Sequence, residues 1–341
     1  MKIGIIGDTH FKDFLSYADY IKDRRVAEKK EILDFVVKSF EDCDHIVFLG
    51  DNFHSKNNSS ETNREFVEFI EKFGLKQVYI ISGNHEKRGD GKTAIDFLKE
   101  VKKQNWHIFT GFGSAHMENG NSPINVDFLP YMLNSELGVN SSEEGVKSIL
   151  DNLVIGDILF THHNITGTSF GGITTDMMKG IVLPQDELEK RYKLIIAGDI
   201  HVPQQYGKVI IAGSLFTSEV GELEKFIWKV DDQTVVEKIK VPNRPIYKLI
   251  DPTDKQLSKI PNNAIIKVIV TVKDTDIESL KEKLSKFDAS LIIEDYPNER
   301  TKMHIEEGAI DFNIESLLKM YSEAKDVDYK KLIHGLELLN G

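Results

Sequence analysis

Five times along this chain a short apolar run stops and an Asp, Asn or His follows at once. Asp8 and His10 follow Ile-Gly-Ile-Ile-Gly, and Asp51 follows Ile-Val-Phe-Leu-Gly. Asn84 and His85 follow Tyr-Ile-Ile-Ser-Gly, His162 follows Ile-Leu-Phe-Thr, and Asp199 and His201 follow Ile-Ile-Ala-Gly. β-branched runs separated by amphipathic stretches are the pattern of a layered α/β domain. In an open α/β sheet, ligands sit outside the carboxyl ends of the strands, so the five turns can converge on one place. Four carry a Gly directly before the polar residue, which reads as a backbone free to turn sharply where a strand stops.

The same pattern places strands near residues 3–6, 46–49, 77–81, 124–129, 157–161, 193–197, 208–212 and 226–230. Between the first two, Val26, Leu33, Val36, Val37 and Phe40 recur at helical spacing. Lys22, Arg24, Arg25, Lys29 and Lys30 occupy other faces of that helix, as a solvated basic end. Two prolines in Val-Pro-Asn-Arg-Pro, near residues 240–245, suit an extended linker and mark a domain boundary. Beyond it come a strand at 246–249, a β-rich run at 264–272, a helix near 277–287 and a strand at 290–293, a small α+β unit spanning 245–300. Residues 308–341 read as two short amphipathic helices, with Ile314, Leu317, Leu318 and Tyr321, then Leu332, Ile333, Leu336 and Leu339.

Composition limits the setting. No run approaches the roughly 18 apolar residues of a membrane span, and Cys43 is the only cysteine, which suits a reducing, cytoplasmic compartment. A net charge of -12 argues against tight, unaided binding to nucleic acid. About half of that excess lies in residues 273–341, with ten Lys/Arg against sixteen Asp/Glu.

Oxygen and imidazole donors from separate strands, with no cysteine, match hard or borderline divalent ions such as manganese, magnesium or iron. Asp8, His10, Asp51, Asn84, His162, Asp199 and His201 make seven donors, more than one ion takes while leaving room for water and substrate. They suit two ions about 3.5–4 Å apart, which clamp both oxygens of an in-line phosphoryl displacement. Phosphoester hydrolysis is the reaction class.

Asp8-Thr-His10, Gly50-Asp51, Gly83-Asn84-His85, His162 and Gly198-Asp199-Ile-His201 resemble the five motifs of calcineurin-like metallophosphoesterases. Gly50-Asp51-Asn-Phe53-His54, Gly-Asp-Ile-His-Val-Pro-Gln and Ala-Gly-Ser214-Leu-Phe-Thr-Ser-Glu-Val-Gly-Glu222 resemble, more narrowly, the SbcD-type nuclease subunit of DNA double-strand-break repair complexes. The resemblance implies a layered sandwich of two central sheets flanked by helices over residues 1–240, a small α+β capping domain and C-terminal helices that bind a partner. It implies that Asp8, His10 and His201 hold a first ion, that Asp51 bridges, and that Asn84 and His162 hold a second. His85 would be a general acid or transition-state donor, and His54 would help place DNA near the metals. The superfamily usually has Gly-His-x-His where this chain has Asp199 before His201, which makes the second site harder and favours Mn2+ or Mg2+ over zinc.

The partners implied are DNA, an SbcC-type ATPase with coiled coils, and a second copy of the chain through helices around 64–73 and 95–101. A partner supplying a basic surface would answer the charge objection. A phosphoesterase for small molecules or phosphoproteins shares all five motifs, but gives no account of the second domain, His54 or the terminal helices. A non-catalytic scaffold would have Asp199 as the mark of a decayed site. His163 adjoins His162 as a rival ligand; His45, His107, His116, His304 and His334 read as surface residues, and Trp106 and Trp228 as packing. Gly89-Asp-Gly-Lys92-Thr93 imitates the end of a nucleotide-binding P-loop, but Glu86 stands where its first glycine belongs, so it reads as a loop.

Overall fold

The computed structural model describes residues 1–12, 22–88, 91–101, 103–118, 123–170, 173–175, 180–271 and 275–293. Strand β1 (Lys2–Ile6) pairs in parallel with β2 (His45–Phe48), β2 with β3 (Gln77–Ile81), and β3 with β4 (Trp106–Phe109). Helix α1 (Lys22–Ser39) makes the first crossover, α2 (Ser60–Glu71) the second, and the short α3 (Phe97–Glu100) the third. On the far side of β1, β15 (Lys225–Asp231) and β16 (Val236–Val241) add antiparallel, giving the order β16-β15-β1-β2-β3-β4.

A second six-stranded sheet has the order β13-β14-β12-β7-β6-β5. Its strands are β5 (Gly113–Met117), β6 (Ile124–Leu129), β7 (Gly156–Thr161), β12 (Tyr192–Ala197), β13 (Gln204–Tyr206) and β14 (Val209–Ile211). Helices α4 (Ser142–Asn152) and α5 (Gln185–Glu189) belong to this half. Four two-residue strands, β8 (Asn164–Ile165), β9 (Ser169–Phe170), β10 (Ile173–Thr174) and β11 (Val182–Leu183), lie between β7 and β12.

Period-two alternation along the strands builds the layers. Ile3, Ile5, Val47, Leu49, Tyr79 and Ile81 face Val126, Phe128, Ile158, Phe160, Leu194 and Ile196 of the other sheet in one buried core. The opposite faces of the first sheet pack Ile6, Ile46, Phe48, Val78 and Ile80 against Val36, Phe66, Phe69 and Ile70 of α1 and α2. Leu159, Ile195, Ala197 and Ile211 of the second sheet pack against Ile149 and Leu188 of α4 and α5. The result is the expected sandwich of two central sheets with helices on the outside. Each fully buried Phe or Ile contributes roughly 1.5–3 kcal/mol, so the layers hold without a disulfide.

After the linker, β17 (Ile246–Ile250), β18 (Ile265–Val270) and β19 (Asp288–Ile293) form a separate three-stranded parallel sheet with α6 (Asp254–Leu257) and α7 (Ile277–Leu284). It has its own core of Leu257, Ile260, Ile266, Val268, Leu280, Leu284 and Phe287. All described residues fall within one compact unit, Met1–Glu294. The amphipathic segments of residues 308–341, and His304 and His334, lie outside the described residues. No helix among the described residues is long and apolar enough to cross a membrane.

Three readings of the sequence are corrected. The basic face of α1 is not wholly solvated: Arg25 and Lys29 are buried while Val26 is exposed. Arg25 donates to Thr217 O and Glu28 Oε2, and Lys29 to Lys12 O and Glu65 Oε2, so each buried cation has a counter-charge. His45 is buried in β2, and His107 is half-buried, 2.9 Å from Gln77 Oε1 and stacked on Tyr79. Strands β4, β5, β13 and β16 had no counterpart in the apolar pattern.

Candidate metal centre

The strand ends bring the sequence-marked residues to one place, and buried phenylalanines pin two of the loops there. Phe11 and Phe53, next to His10 and His54, pair across an isolated parallel bridge and pack on Phe66 in the α2 core. His10 N donates to Asp51 O and Phe11 N to Asn52 O, both at 2.8 Å, so the loops after β1 and β2 are locked together.

The sharp turns are made by the ligand-type residues themselves. His10, Asp51 and Asp199 have φ of 42°, 44° and 74°, the left-handed region that is sparse for side-chain-bearing residues and recurs at functional sites. Of the glycines before the polar residues, only Gly50 shares that region, with φ 95°. Gly7, Gly83 and Gly198 answer a different need, close approach. A Cβ at Gly83 would overlap Asp51 Oδ1 and N, one at Gly7 would overlap Gly213 O, and one at Gly198 would lie 2.6 Å from Asp8 Oδ1. The sequence reading of these three as turn residues is thereby corrected.

Among the described residues four groups of ligand-type atoms lie within 4.8 Å of one another: His10 with His54 and His85, His201 with Glu219 and Glu222, and the two that gather the sequence-marked ligands, Asp8 with His10 and His201, and Asp51 with His162 and Asp199. Asp51 stands between these last two: Oδ2 is 3.7 Å from His10 Nε2, and Oδ1 is 3.4 Å from His162 Nε2. Asn84 Oδ1 is 3.1 Å from His162 Nε2. Asp199 Oδ1 lies 3.9 Å from His162 Nε2, while its Oδ2 accepts from Asn164 Nδ2 at 2.6 Å.

The donor set fits divalent cations. His162 Nδ1 faces Leu49 O at 2.6 Å and His201 Nδ1 faces Glu222 Oε1 at 2.7 Å, so each ring donates there and turns the Nε2 lone pair inward, the usual ligating tautomer. His10 Nε2 and His201 Nε2 then meet at 2.8 Å. Asp8 Oδ2 is buried with no hydrogen-bond partner among the described residues. The Asn84 amide oxygen faces both Asp51 carboxylate oxygens and His162 Nε2, all acceptors; a cation among them explains that orientation, and without one the amide would turn its NH2 toward them.

Electrostatics agrees. Burial raises the Asp8 carboxyl to about 7 against the pull of His162, with Asp51 adding to the rise. Burial opposes the charge on Asp51 too, but His162 and then His10 outweigh it and hold that carboxyl below the usual range. Burial disfavours the charged form of His162, yet Asp51 draws it well above the usual imidazole value, the same pull that would hold a metal ion. Carboxylates crowded in a dry site are stable together only around positive charge.

His85 and His54 stand at the mouth. The His85 side chain is 39% exposed; its Nδ1 faces His54 O at 2.9 Å and its Nε2 lies 3.8 Å from Asp51 Oδ2. The exposed His54 ring sits 5.7 Å from both His10 and His85, centroid to centroid. His163 lies apart, buried, stacked on Tyr131, with Nε2 accepting from Met132 N.

Three supporting residues were given no role by the sequence reading. Glu222, although quoted within a motif, orients His201, and Lys225 Nζ lies 3.1 Å from its other oxygen. Glu86 accepts from Gly83 N at 2.6 Å and Phe53 N at 3.1 Å, tying the loops after β2 and β3. Asn164 holds Asp199. Each stood beside a marked residue or motif, Glu86 after Asn84-His85, Asn164 two residues after His162 and Glu222 at the end of the narrower motif, but the sequence did not say which ligand each would hold.

A family model described as calcineurin-like phosphoesterase matches residues 1–203. No curated protein matches the chain. A solved structure titled as the structural and functional characterisation of a novel archaeal phosphodiesterase is similar over 71% of this chain and 100% of that one, at 15% identity and a TM-score of 0.36.

Proposed function

The chain belongs to the calcineurin-like phosphoesterases, and from that premise we propose that it is a two-metal, manganese-type DNA nuclease, the nuclease subunit of an SbcC–SbcD-type complex that processes DNA ends. The observation that carries phosphodiester hydrolysis is the position of Asp51, one buried carboxylate whose two oxygens face two separate ligand groups. Asp8, His10 and His201 would hold one ion and Asn84, His162 and Asp199 the other, with Asp51 shared. Bound there, two divalent ions supply Lewis-acid stabilisation of phosphoryl charge and a nucleophile at neutral pH.

The chain's own residues do the rest. Leu49 O and Glu222 fix the tautomers of His162 and His201. Glu86 holds the loops after β2 and β3 in register. His54 O accepts from His85 Nδ1, which turns Nε2 toward Asp51, where the ring in its doubly protonated form would donate a proton or a hydrogen bond to a phosphate oxygen. DNA as substrate is supported by the narrower sequence resemblance, to which Glu222 behind His201 belongs, and by the exposure of His54 and His85 beside the ligands. The ATPase partner, the homodimer and manganese rest on that resemblance and on the oxygen-rich second site.

The test is incubation of end-labelled linear DNA with purified protein and Mn2+, alone and with the ATPase, alongside Asp8→Ala and His85→Ala. Cleavage lost in both variants supports the reading. Hydrolysis of a small phosphodiester with DNA left intact under every condition would assign a small-substrate phosphoesterase instead.

A further inference from the structure

Strand β6 ends at Leu129, and the residues that follow run between two ligand loops. Tyr131 N donates to Ser82 O at 3.0 Å, beside Gly83-Asn84, and His162 N donates to Leu129 O at 3.1 Å. Met132 N donates to His163 Nε2 at 3.1 Å. The backbone thus seats Tyr131 between the loops after β3 and β7, which carry Asn84 and His162 of the second ligand group. Further along, Glu136 accepts from Leu133 N at 2.8 Å with one oxygen and from Lys87 Nζ at 2.9 Å with the other. Lys87 is two residues from His85, so the same ion pair braces the Tyr131 loop against the loop of the proposed proton donor.

The ring is held as well as the backbone. It stacks on His163, centroids 5.2 Å apart and planes 24° from parallel, and His163 is fully buried. The histidine that the sequence offered as a rival ligand is the platform on which the tyrosine lies. Tyr131 itself is only half-buried, and its hydroxyl has no hydrogen-bond partner among the described residues. Burial raises the phenol above its usual range, and Asp199 and then Asp51 add to the rise, so the hydroxyl lies in the field of both carboxylates and stays protonated at neutral pH. A protonated hydroxyl on a fixed ring, with nothing to donate to, is a preorganised donor. Such a donor stabilises charge that develops beside it during a reaction.

Resting on the phosphodiester reading above, though not on DNA as the substrate, we infer that the Tyr131 hydroxyl donates a hydrogen bond to a non-bridging oxygen of the phosphoryl group under attack. It approaches from the side of Asn84, His162 and Asp199. His85 stands on the other side, its ring 4.9 Å from that of His10, centroid to centroid. The two donors flank the phosphoryl group, one beside each ligand group, and Tyr131 is a catalytic residue.

The test compares wild type with Tyr131→Phe and Tyr131→Ala on bis(p-nitrophenyl) phosphate and on an oligonucleotide, all with Mn2+. Tyr131→Phe keeps the ring on His163 and removes the hydroxyl alone. Its kcat is expected to fall about 100-fold on both substrates, with KM, bound-metal stoichiometry and thermal unfolding midpoint those of wild type. Inhibition by orthovanadate, which takes up the trigonal-bipyramidal geometry of phosphoryl transfer, should weaken by a similar factor. A wild-type kcat in Tyr131→Phe overturns the inference even where Tyr131→Ala is impaired, because the ring then only packs. A loss confined to the oligonucleotide overturns it too and would make the ring a surface for base stacking. So does loss of bound metal in Tyr131→Phe, which would put the hydroxyl among the ligands rather than on the substrate. Small-diester hydrolysis by wild type with oligonucleotides left intact ends the DNA reading alone, and the small diester then decides this inference. Wild type inactive on both substrates removes the phosphodiester reading, and this inference with it.

Discussion

The Glu222 carboxylate accepts from His201 Nδ1 at 2.7 Å with one oxygen, while Lys225 Nζ approaches the other at 3.1 Å. Burial opposes that charge, but the His201 bond and Lys225 hold the carboxyl down to about 2. His201 therefore keeps its Nε2 lone pair aimed at His10 and Asp8. Carboxylates behind metal-binding imidazoles raise affinity and fix orientation. Glu222→Gln is expected to weaken Mn2+ affinity about 10–100-fold, read by calorimetric titration. Stability should also fall by the order of 3 kcal/mol, because Lys225 stays buried without its counter-charge. Unchanged affinity would show that the carboxylate only packs.

A second charged junction joins elements far apart in sequence. Arg244 Nη1 and Nη2 pair at 2.6 Å with Glu28 of α1 and Asp288 of β19, and Arg24 also pairs with Asp288. Asp288 is held below the usual carboxylate range by these two arginines, against the effect of burial. A group whose folded pKa is depressed stabilises the fold above its unfolded value, near 4, and loses that contribution as pH falls through the folded value. Asp288→Asn should therefore cost about 1–3 kcal/mol at pH 7, between the exposed and buried limits for ion pairs. Denaturant midpoints of wild type and variant should converge as pH falls through the folded value of Asp288; a difference that persists in acid, once that carboxyl is protonated, would place the effect outside the ion pair.

Asp199 stands where relatives of the superfamily resemblance carry an imidazole, and its oxygen faces His162 and Asp51. An oxygen-rich second site favours Mn2+ or Mg2+ over zinc. Asp199→His replaces a hard donor by a borderline one at a left-handed position that His also tolerates. Zinc affinity is expected to rise about tenfold, and the ratio of Mn2+- to Zn2+-supported activity to fall. Full activity of the wild type with zinc would remove the basis for this preference.

His85 reaches the site from its mouth, outside the Asp8-His10-His201 and Asp51-His162-Asp199 groups but in a third cluster with His10 and His54 that could also hold an ion. His85→Ala is expected to lower kcat about 10²–10⁴-fold, the range for a positioned proton donor. Metal stoichiometry, measured on the protein after gel filtration, should remain that of wild type. Loss of bound metal in the variant would make His85 a ligand instead.

Within the two six-stranded sheets, the four strands that the sequence pattern did not reveal are the four edges, β16 and β4 of one sheet and β13 and β5 of the other. Interior parallel strands are covered on both faces and read as apolar runs, whereas edges carry polar residues that blunt further pairing. Val-Glu-Lys-Ile-Lys-Val of β16 and Gln-Gln-Tyr of β13 show it. The ligand-type residues were legible because they follow those interior runs. The roles of Glu222, Asn164 and Lys225 were not, since the groups they hold, His201, Asp199 and Glu222, meet them only in the folded chain. The burial of Arg25 and Lys29 was hidden for a related reason: Thr217, Lys12 and Glu65, which receive them, lie on other elements.

Gly83 shows how closely the ligand loops are fitted. Its φ is not in the left-handed region, so alanine is permitted by the backbone, yet a Cβ there would overlap the backbone nitrogen and Oδ1 of Asp51. Asp51 cannot yield, because Oδ1 also accepts from His85 N at 2.9 Å and its loop is pinned by Phe53 in the α2 core. Gly83 N in turn donates to Glu86 Oε2 at 2.6 Å, which prevents the glycine from moving instead. Gly83→Ala is therefore expected to displace the shared carboxylate, lower activity at least about 100-fold and remove most of the rise in unfolding temperature produced by Mn2+. The metal-free protein should lose about 1–3 kcal/mol, the cost of overpacking a tight interior. An alanine variant with wild-type metal-linked stabilisation would mean that these two loops have room to separate, and that Asp51 is held by the metal ions rather than placed in advance by the fold.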